Sequence, residues 1–169
     1  MNIGTLLTKP AQTCPNQLAI VYGDHQWTYA QFNARTNQLA NALRNLGVAQ
    51  GHHVAVLMYN YPQMLEAMFA CFKMGCAAVP INFRLHPNEF AFIIDHSKAE
   101  TVVTSPEFTE PLRLLHDRLP RVRHTITTSG ADRECLDYES VLRDGHEEFK
   151  DAEVNPDDVA WLFYTSGTT

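Results

Sequence analysis

The chain has 169 residues, 45% hydrophobic and 19% charged, with a formal net charge of −6. This composition supports one sizeable core and excludes a disordered chain. The negative balance excludes a sequence-independent hold on DNA or RNA, which needs a basic face, but not a nucleotide gripped by local donors.

In chain order, Met1 to Lys9 lacks a basic start followed by a long apolar stretch, so it does not read as a signal peptide. Leu18–Tyr22 and Gln26–Thr28 are short strand-like runs around Gly23-Asp24-His25, the pattern of a hairpin. Thr28 and Gln31 form a Thr-x-x-Gln capping box that opens a helix with Phe32, Thr36, Leu39, Leu43 and Leu46 on one face, closed by Gly47. Val54–Met58 is a continuous apolar strand. Pro62 opens a mostly apolar helix that runs to Met74 and stops at Gly75. The long apolar stretch from Met64 to Pro80 is broken by Glu66, Lys73 and Gly75, so no transmembrane span is expected.

Ala77–Ile81 is the next strand, and His86-Pro87-Asn88-Glu89 starts a helix buried through Phe90, Ile93 and Ile94. Thr101–Thr104 reads as a strand, Pro106 to about Arg118 as a helix, and Val122–Thr128 as a strand. Ser129–Asp137 is irregular, Tyr138–Arg143 a short helix, Gly145–Asp157 an acidic connector, and Val159–Thr165 a closing strand. Short buried strands alternating with helices call for a doubly wound, mostly parallel α/β sheet with helices on both faces.

The four cysteines, Cys14, Cys71, Cys76 and Cys135, do not make a zinc pattern, and no metal site is expected. Free thiols fit a reducing, cytoplasmic setting. His52-His53 reads as a loop pair without a ligand role, and Glu147-Glu148 and Asp157-Asp158 as solvated charge. Tyr59 and Tyr61 read as core edge, and Arg84 as either ligand-facing or part of a salt bridge.

The most informative stretch is Trp161-Leu162-Phe163-Tyr164-Thr165-Ser166-Gly167-Thr168-Thr169. An apolar run ends in hydroxyls around one glycine. Gly167 permits a tight turn and close approach to an anion, while neighbouring N–H groups and the hydroxyls of Thr165, Ser166, Thr168 and Thr169 can donate to phosphate oxygens.

In this order, several blocks resemble the adenylate-forming acyl-CoA synthetases, the AMP-dependent synthetases and ligases. Tyr164–Thr169 looks like the first half of that family's phosphate loop. Trp27-Thr28-Tyr29, Leu46-Gly47-Val48 with Gly51-x-x-Val54-Ala55, and Lys73 to Asn82 look like its earlier blocks. Arg84-Leu85, Glu89, Asp95 to Ala99 and Asp157-Asp158-Val159-Ala160 continue it. The likeness runs from about Leu18 to Thr169, and His52-His53 departs from the family's usual aspartate after the glycine at Gly51.

The resemblance implies that residues 1–169 are a partial N-terminal AMP-binding domain, with its core at about 18–169, whose family members are several times longer. It implies ATP-dependent activation of a carboxylic acid to an acyl-adenylate, then thioester formation with CoA. The Pro80-Ile81-Asn82-Phe83-Arg84-Leu85 stretch leans toward fatty or medium-chain acids. Thr165, Ser166, Gly167, Thr168 and Thr169 would contact the ATP phosphates. No catalytic residue falls within the chain, and the family's magnesium ligand and catalytic lysine lie beyond residue 169, so the chain alone is expected to be inactive. The partners implied are the small-molecule acid, ATP and CoA. Three alternatives stand beside this reading: an adenylation domain serving a carrier protein, a non-catalytic fragment acting as an interaction module, and a flavodoxin-like nucleotide binder with its site at the carboxyl ends of the central strands.

Overall fold

The structure, a computed structural model, describes residues 1–165. After helix α1 (Thr5–Thr13), strands β1 (Leu18–Tyr22) and β2 (His25–Thr28) form an antiparallel hairpin whose two-residue turn uses Gly23 at φ 57°. Helix α2 (Tyr29–Asn45) starts at the expected capping box, with Thr28 and Gln31 satisfying each other's backbone amides. It ends in a Schellman turn: Val48 N–H donates to the Leu43 carbonyl and Gly47 N–H to that of Arg44, with Gly47 at φ 90°.

The remaining elements alternate: β3 (His53–Leu57), α3 (Pro62–Met74), β4 (Ala77–Pro80), α4 (Pro87–His96), β5 (Thr101–Thr104), α5 (Thr109–Leu114), β6 (His124–Thr127), β7 (Leu136–Asp137) and α6 (Tyr138–Arg143). The five strands β3 to β7 form one parallel sheet in the order β4-β3-β5-β6-β7. The chain therefore moves outward from β3 in one direction to β4, then returns across β3 to β5. Right-handed crossovers of opposite direction put their helices on opposite faces. Accordingly, α2, α3 and α6 pack over Val54, Val56, Val103 and Ile126, whereas α4 and α5 pack over Ala55, Leu57, Val79 and Val102. Both sheet faces are dry, which is why β3 reads as an unbroken apolar run.

Three expectations are corrected. Pro106 to Arg118 is not one helix but α5 flanked by 3₁₀ turns at Pro106–Phe108 and His116–Arg118, with Pro111 depriving the short helix of one backbone donor. Val159–Thr165 is not a strand: only Trp161 bridges to Ala78. The flanking bonds run from Ala78 N–H to the Ala160 carbonyl and from Leu162 N–H to the Ala78 carbonyl. The next donor on that side of β4 belongs to residue 80, which is proline and has no N–H, so the ladder stops after one rung. The strand expected over Val122–Thr128 is confined to His124–Thr127. Helix α1 and the two-residue β7 carried no clear sequence pattern. Among the described residues, no helix is long and apolar enough to cross a membrane.

Helix α3 buries two charges. Glu66, 1% exposed, accepts from Arg35 Nε at 2.6 Å and Nη2 at 3.2 Å, and from the Tyr138 hydroxyl at 2.7 Å. Arg35 also grips Glu139 at 2.6 and 3.0 Å, so α2, α3 and α6 share one ionic knot. Burial alone would lower the Arg35 pKa, but the two carboxylates outweigh it and raise it. Burial, reinforced by Glu66, pushes the Tyr138 hydroxyl well above the ordinary phenol range. At the other end of α3, Lys73 donates to Thr8 at 2.5 Å and to Asp151 at 3.1 Å, tying α1 and the acidic connector to the helix. Burial lowers the Lys73 pKa, with Asp151 opposing the shift.

Removing Arg35 leaves Glu66 as an under-compensated buried charge. Urea unfolding is expected to show Arg35→Met destabilised by about 3–5 kcal/mol. Tyr138→Phe, which keeps the ion pair but loses one charge-assisted hydrogen bond, should cost about 2 kcal/mol at neutral pH. Because the fold holds Tyr138 protonated while the unfolded tyrosine ionises near its ordinary pKa of 10.0, the advantage of the wild-type chain over Tyr138→Phe is intact below pH 10. It should shrink above that pH by about 1.4 kcal/mol per unit. A gap that stays constant through this range contradicts the buried, protonated hydroxyl.

Candidate functional site

The fold offers two places where chemistry can be organised. The first is the free edge of β4, where the last described residues dock. Beyond the single Ala78 rung, side chains alternate across the sheet plane. Trp161 meets Phe72 edge-on, with ring centroids 4.8 Å apart at 87°, and leans on Phe163 at 5.2 Å. Leu162 and Tyr164 pack on the α4 side. Tyr164 is tied down twice by His96, at the end of α4: its hydroxyl lies 2.7 Å from Nδ1 and the rings meet edge-to-face at 5.7 Å. Phe92 stacks on the same imidazole at 5.2 Å. Burial raises the Tyr164 pKa, so the hydroxyl keeps its proton, and the imidazole tautomer sets which of the two groups donates.

Thr165 follows directly and is exposed. Of the five residues expected to hold phosphate it alone is described; Ser166, Gly167, Thr168 and Thr169 lie outside the described residues. Its hydroxyl is a donor of the right kind for a phosphate oxygen, and a polar, water-facing position suits a group that exchanges partners on ligand binding.

The acidic connector that leads to this edge is fixed rather than loose. Gly145 presses on the Gln38 carbonyl of α2, where any Cβ would collide with backbone. Asn41 Nδ2 donates to the carbonyls of His146 and Glu148 at 2.8 and 2.9 Å, and Ala152 N–H donates to the Lys73 carbonyl at 2.7 Å. The Glu147, Glu148, Asp157 and Asp158 side chains are exposed, as their sequence context suggests, but Asp151 in the same connector is half-buried against Lys73. Nothing in the pattern of Asp151 separates it from its solvated neighbours; the cue lay in Lys73, a cation inside an apolar helix.

The second place is the crevice at the carboxyl ends of the strands where the winding reverses, between β3 and β5. Sheets of this topology commonly take ligands there. A cleft of about 440 Å³ opens beneath the β1–β2 hairpin, lined by Tyr22, His25, Trp27, Tyr61, Glu107 and Thr128 among others. Tyr22 and Tyr61 stand edge-to-face at 6.1 Å, and the Tyr61 hydroxyl donates to Glu107 Oε1 at 3.3 Å. Burial would raise the Glu107 pKa, but hydrogen bonding to its carboxylate, from the Tyr61 hydroxyl among others, prevails and lowers it, so it is a carboxylate at neutral pH. Tyr59, read from sequence as core edge, is 38% exposed and packs on Phe83, Phe108 and Tyr61. Arg84 is exposed and lies over the Phe83 ring at 5.6 Å rather than in an ion pair among the described residues. Glu107 gave no sequence signal; its place one turn past a parallel strand's carboxyl end marks it only once the strand order is known.

No group of three or more metal-ligating side chains occurs among the described residues. All four cysteines are free. Burial pushes Cys76 up to about 12 and raises Cys71 well above its ordinary value, so neither is a thiolate nucleophile at neutral pH.

The family model described as "AMP-binding enzyme" matches residues 7–169. Feruloyl-CoA synthase of an Amycolatopsis species is 34% identical over 167 residues, which cover 99% of this chain and 31% of that protein. Long-chain-fatty-acid–CoA ligase FadD13 of Mycobacterium tuberculosis is 35% identical over 173 residues, covering 99% and 33%. The solved structure of the anthranilate CoA ligase AuaEII in complex with anthranoyl-AMP superposes with a TM-score of 0.96 at 27% identity, over 100% of this chain and 33% of that one. The chain thus spans about a third of the length of these relatives.

The docking of the terminal segment is testable in solution. Tyr164→Phe removes only the hydrogen bond to His96. Amide exchange at Leu162, whose N–H bonds the Ala78 carbonyl, is expected to speed up about fivefold, the effect of losing roughly 1 kcal/mol. Unchanged exchange would show that ring packing alone holds the segment.

Proposed function

The chain belongs to the AMP-binding enzyme family, and on that premise we propose that it forms the N-terminal, phosphate-binding part of an enzyme that joins a carboxylic acid to AMP at the expense of ATP and passes the acyl group to CoA. The observation that carries this reading is the seating of Trp161–Tyr164 on the β4 edge, directly before Thr165 and the hydroxyl-rich sequence Ser166-Gly167-Thr168-Thr169.

A free carboxylate is a poor electrophile, and adenylation gives it a good leaving group. As pyrophosphate departs, negative charge gathers on the leaving phosphates. The contribution of Thr165 to Thr169 is to orient those oxygens and stabilise that charge through hydroxyls and backbone N–H groups, without moving a proton. His96 and Tyr164 hold the lead-in, and the Lys73–Asp151 contact holds the connector before it. No residue of this chain is assigned to magnesium, to proton transfer or to the thiol acceptor.

For the acid, our reading is a fatty or medium-chain substrate, supported by the Pro80–Leu85 stretch and by likeness to FadD13. An aromatic acid is the second reading, supported by likeness to feruloyl-CoA synthase and to the anthranilate ligase.

The test is a chimera in which residues 1–169 replace the matching third of FadD13. It is expected to form acyl-CoA from ATP, and replacing Thr165 and Ser166 together by alanine should lower kcat by about 100-fold, in line with removal of charge-stabilising donors. The 169-residue chain alone should release no pyrophosphate above a protein-free control. A folded chimera without acyl-adenylate formation, or an unimpaired double variant, would refute the assignment.

A further inference from the structure

We propose that the cleft beneath the β1–β2 hairpin is a second, separate binding site, for an organic ammonium ion seated among the rings of Tyr22, Trp27 and Tyr61 with Glu107 as its counter-charge. This site goes beyond the adenylation reading and does not use the β4 edge.

Four observations converge on it. The cleft lies at the reversal of winding between β3 and β5, the place in such a sheet where strand ends and helix starts leave room for a ligand. Its volume, about 440 Å³, admits a small trimethylammonium compound. Three electron-rich rings line it, two of them in edge-to-face contact at 81°. Rings of this kind attract cations through their faces. The one acidic side chain in the lining, Glu107, is held at its carboxylate by the Tyr61 hydroxyl. No lysine or arginine lines the cleft among the described residues, so an anionic ligand would meet Glu107 with no compensating charge. Among the described residues His25, at the hairpin end, is the one lining side chain with a basic nitrogen.

The hairpin that roofs the cleft is not consumed by the fold. Tyr22 is 43% exposed and Val21 60% exposed, although both lie in a strand. Tyr22 and Trp27 belong to neither core, and Tyr61 packs at the margin of the α3 side.

The probe is choline, with dimethylbutanol as its uncharged carbon isostere, titrated into the 169-residue chain at constant ionic strength. Trp161→Phe leaves Trp27 as the only tryptophan and makes its fluorescence the readout. Saturable binding of choline with a Kd of about 1 mM is expected, and binding of the isostere at least about fivefold weaker, the scale of one cation–π contact. Glu107→Gln should weaken choline about fivefold or more, Tyr61→Leu about tenfold, and His25→Ala not at all. Equal binding of the isostere, no saturation by about 50 mM, or an unaffected Glu107→Gln variant overturns the proposal. Glu107 is exposed and its substitution does not threaten folding, so that arm decides even where Tyr61→Leu fails to fold.

Discussion

Everything in this molecule follows from the reversal of winding at β3. A parallel strand can neighbour its successor only through a crossover, and the crossover has one hand. By sending β4 to one side and β5 to the other, the chain places α3 and α4 on opposite faces and forces β3 to be apolar in both directions. The same step leaves β4 with an open side and leaves a crevice at the carboxyl ends of β3 and β5. Both candidate sites are by-products of that topology. Counted in chain order, the strands run 2-1-3-4-5, the flavodoxin-like arrangement considered from sequence. Strand order alone therefore did not separate that alternative from an adenylate-forming enzyme; the family match over residues 7–169 does.

Helix α3 carries the second layer of organisation because it buries charge at both ends. Glu66 collects Arg35 and Tyr138, and Lys73 collects Thr8 and Asp151. Such clusters contribute little net stability compared with well-packed apolar side chains, but a member left alone is costly. They act as registry pins. The Lys73 pin fixes the connector at Asp151 and Ala152, and nine residues later the chain meets β4 at Trp161. The path of the backbone up to Thr165 is thus set by contacts made earlier in the chain.

Elements with a strong local code were legible in the residues. The Thr28–Gln31 box, Gly47, Pro62 and Gly75 punctuate α2 and α3 where sequence reading put them, since caps and glycines act within one turn. What escaped was decided at a distance. Pro80 ends the pairing of a segment eighty residues later, so Val159–Thr165 looked like a strand and is not one. Glu66 and Lys73 read as interruptions in an apolar run, because their partners Arg35 and Asp151 are 31 and 78 residues away. The terminal loop was legible as composition, hydroxyls around a glycine, whereas the aromatic cleft was not, its parts coming from a hairpin and two separate strand ends.

The central proposal is one of place: it assigns the nucleotide's phosphates to residues 165–169, which follow the segment seated on β4, and not to the crevice between β3 and β5. A crystal structure of the FadD13 chimera carrying residues 1–169, grown with a non-hydrolysable ATP analogue, addresses it directly. Phosphate oxygens within hydrogen-bond distance of residues 165–169 are the expected result. A triphosphate lodged beside Tyr61 and Glu107, with no phosphate contact to residues 165–169, would contradict it.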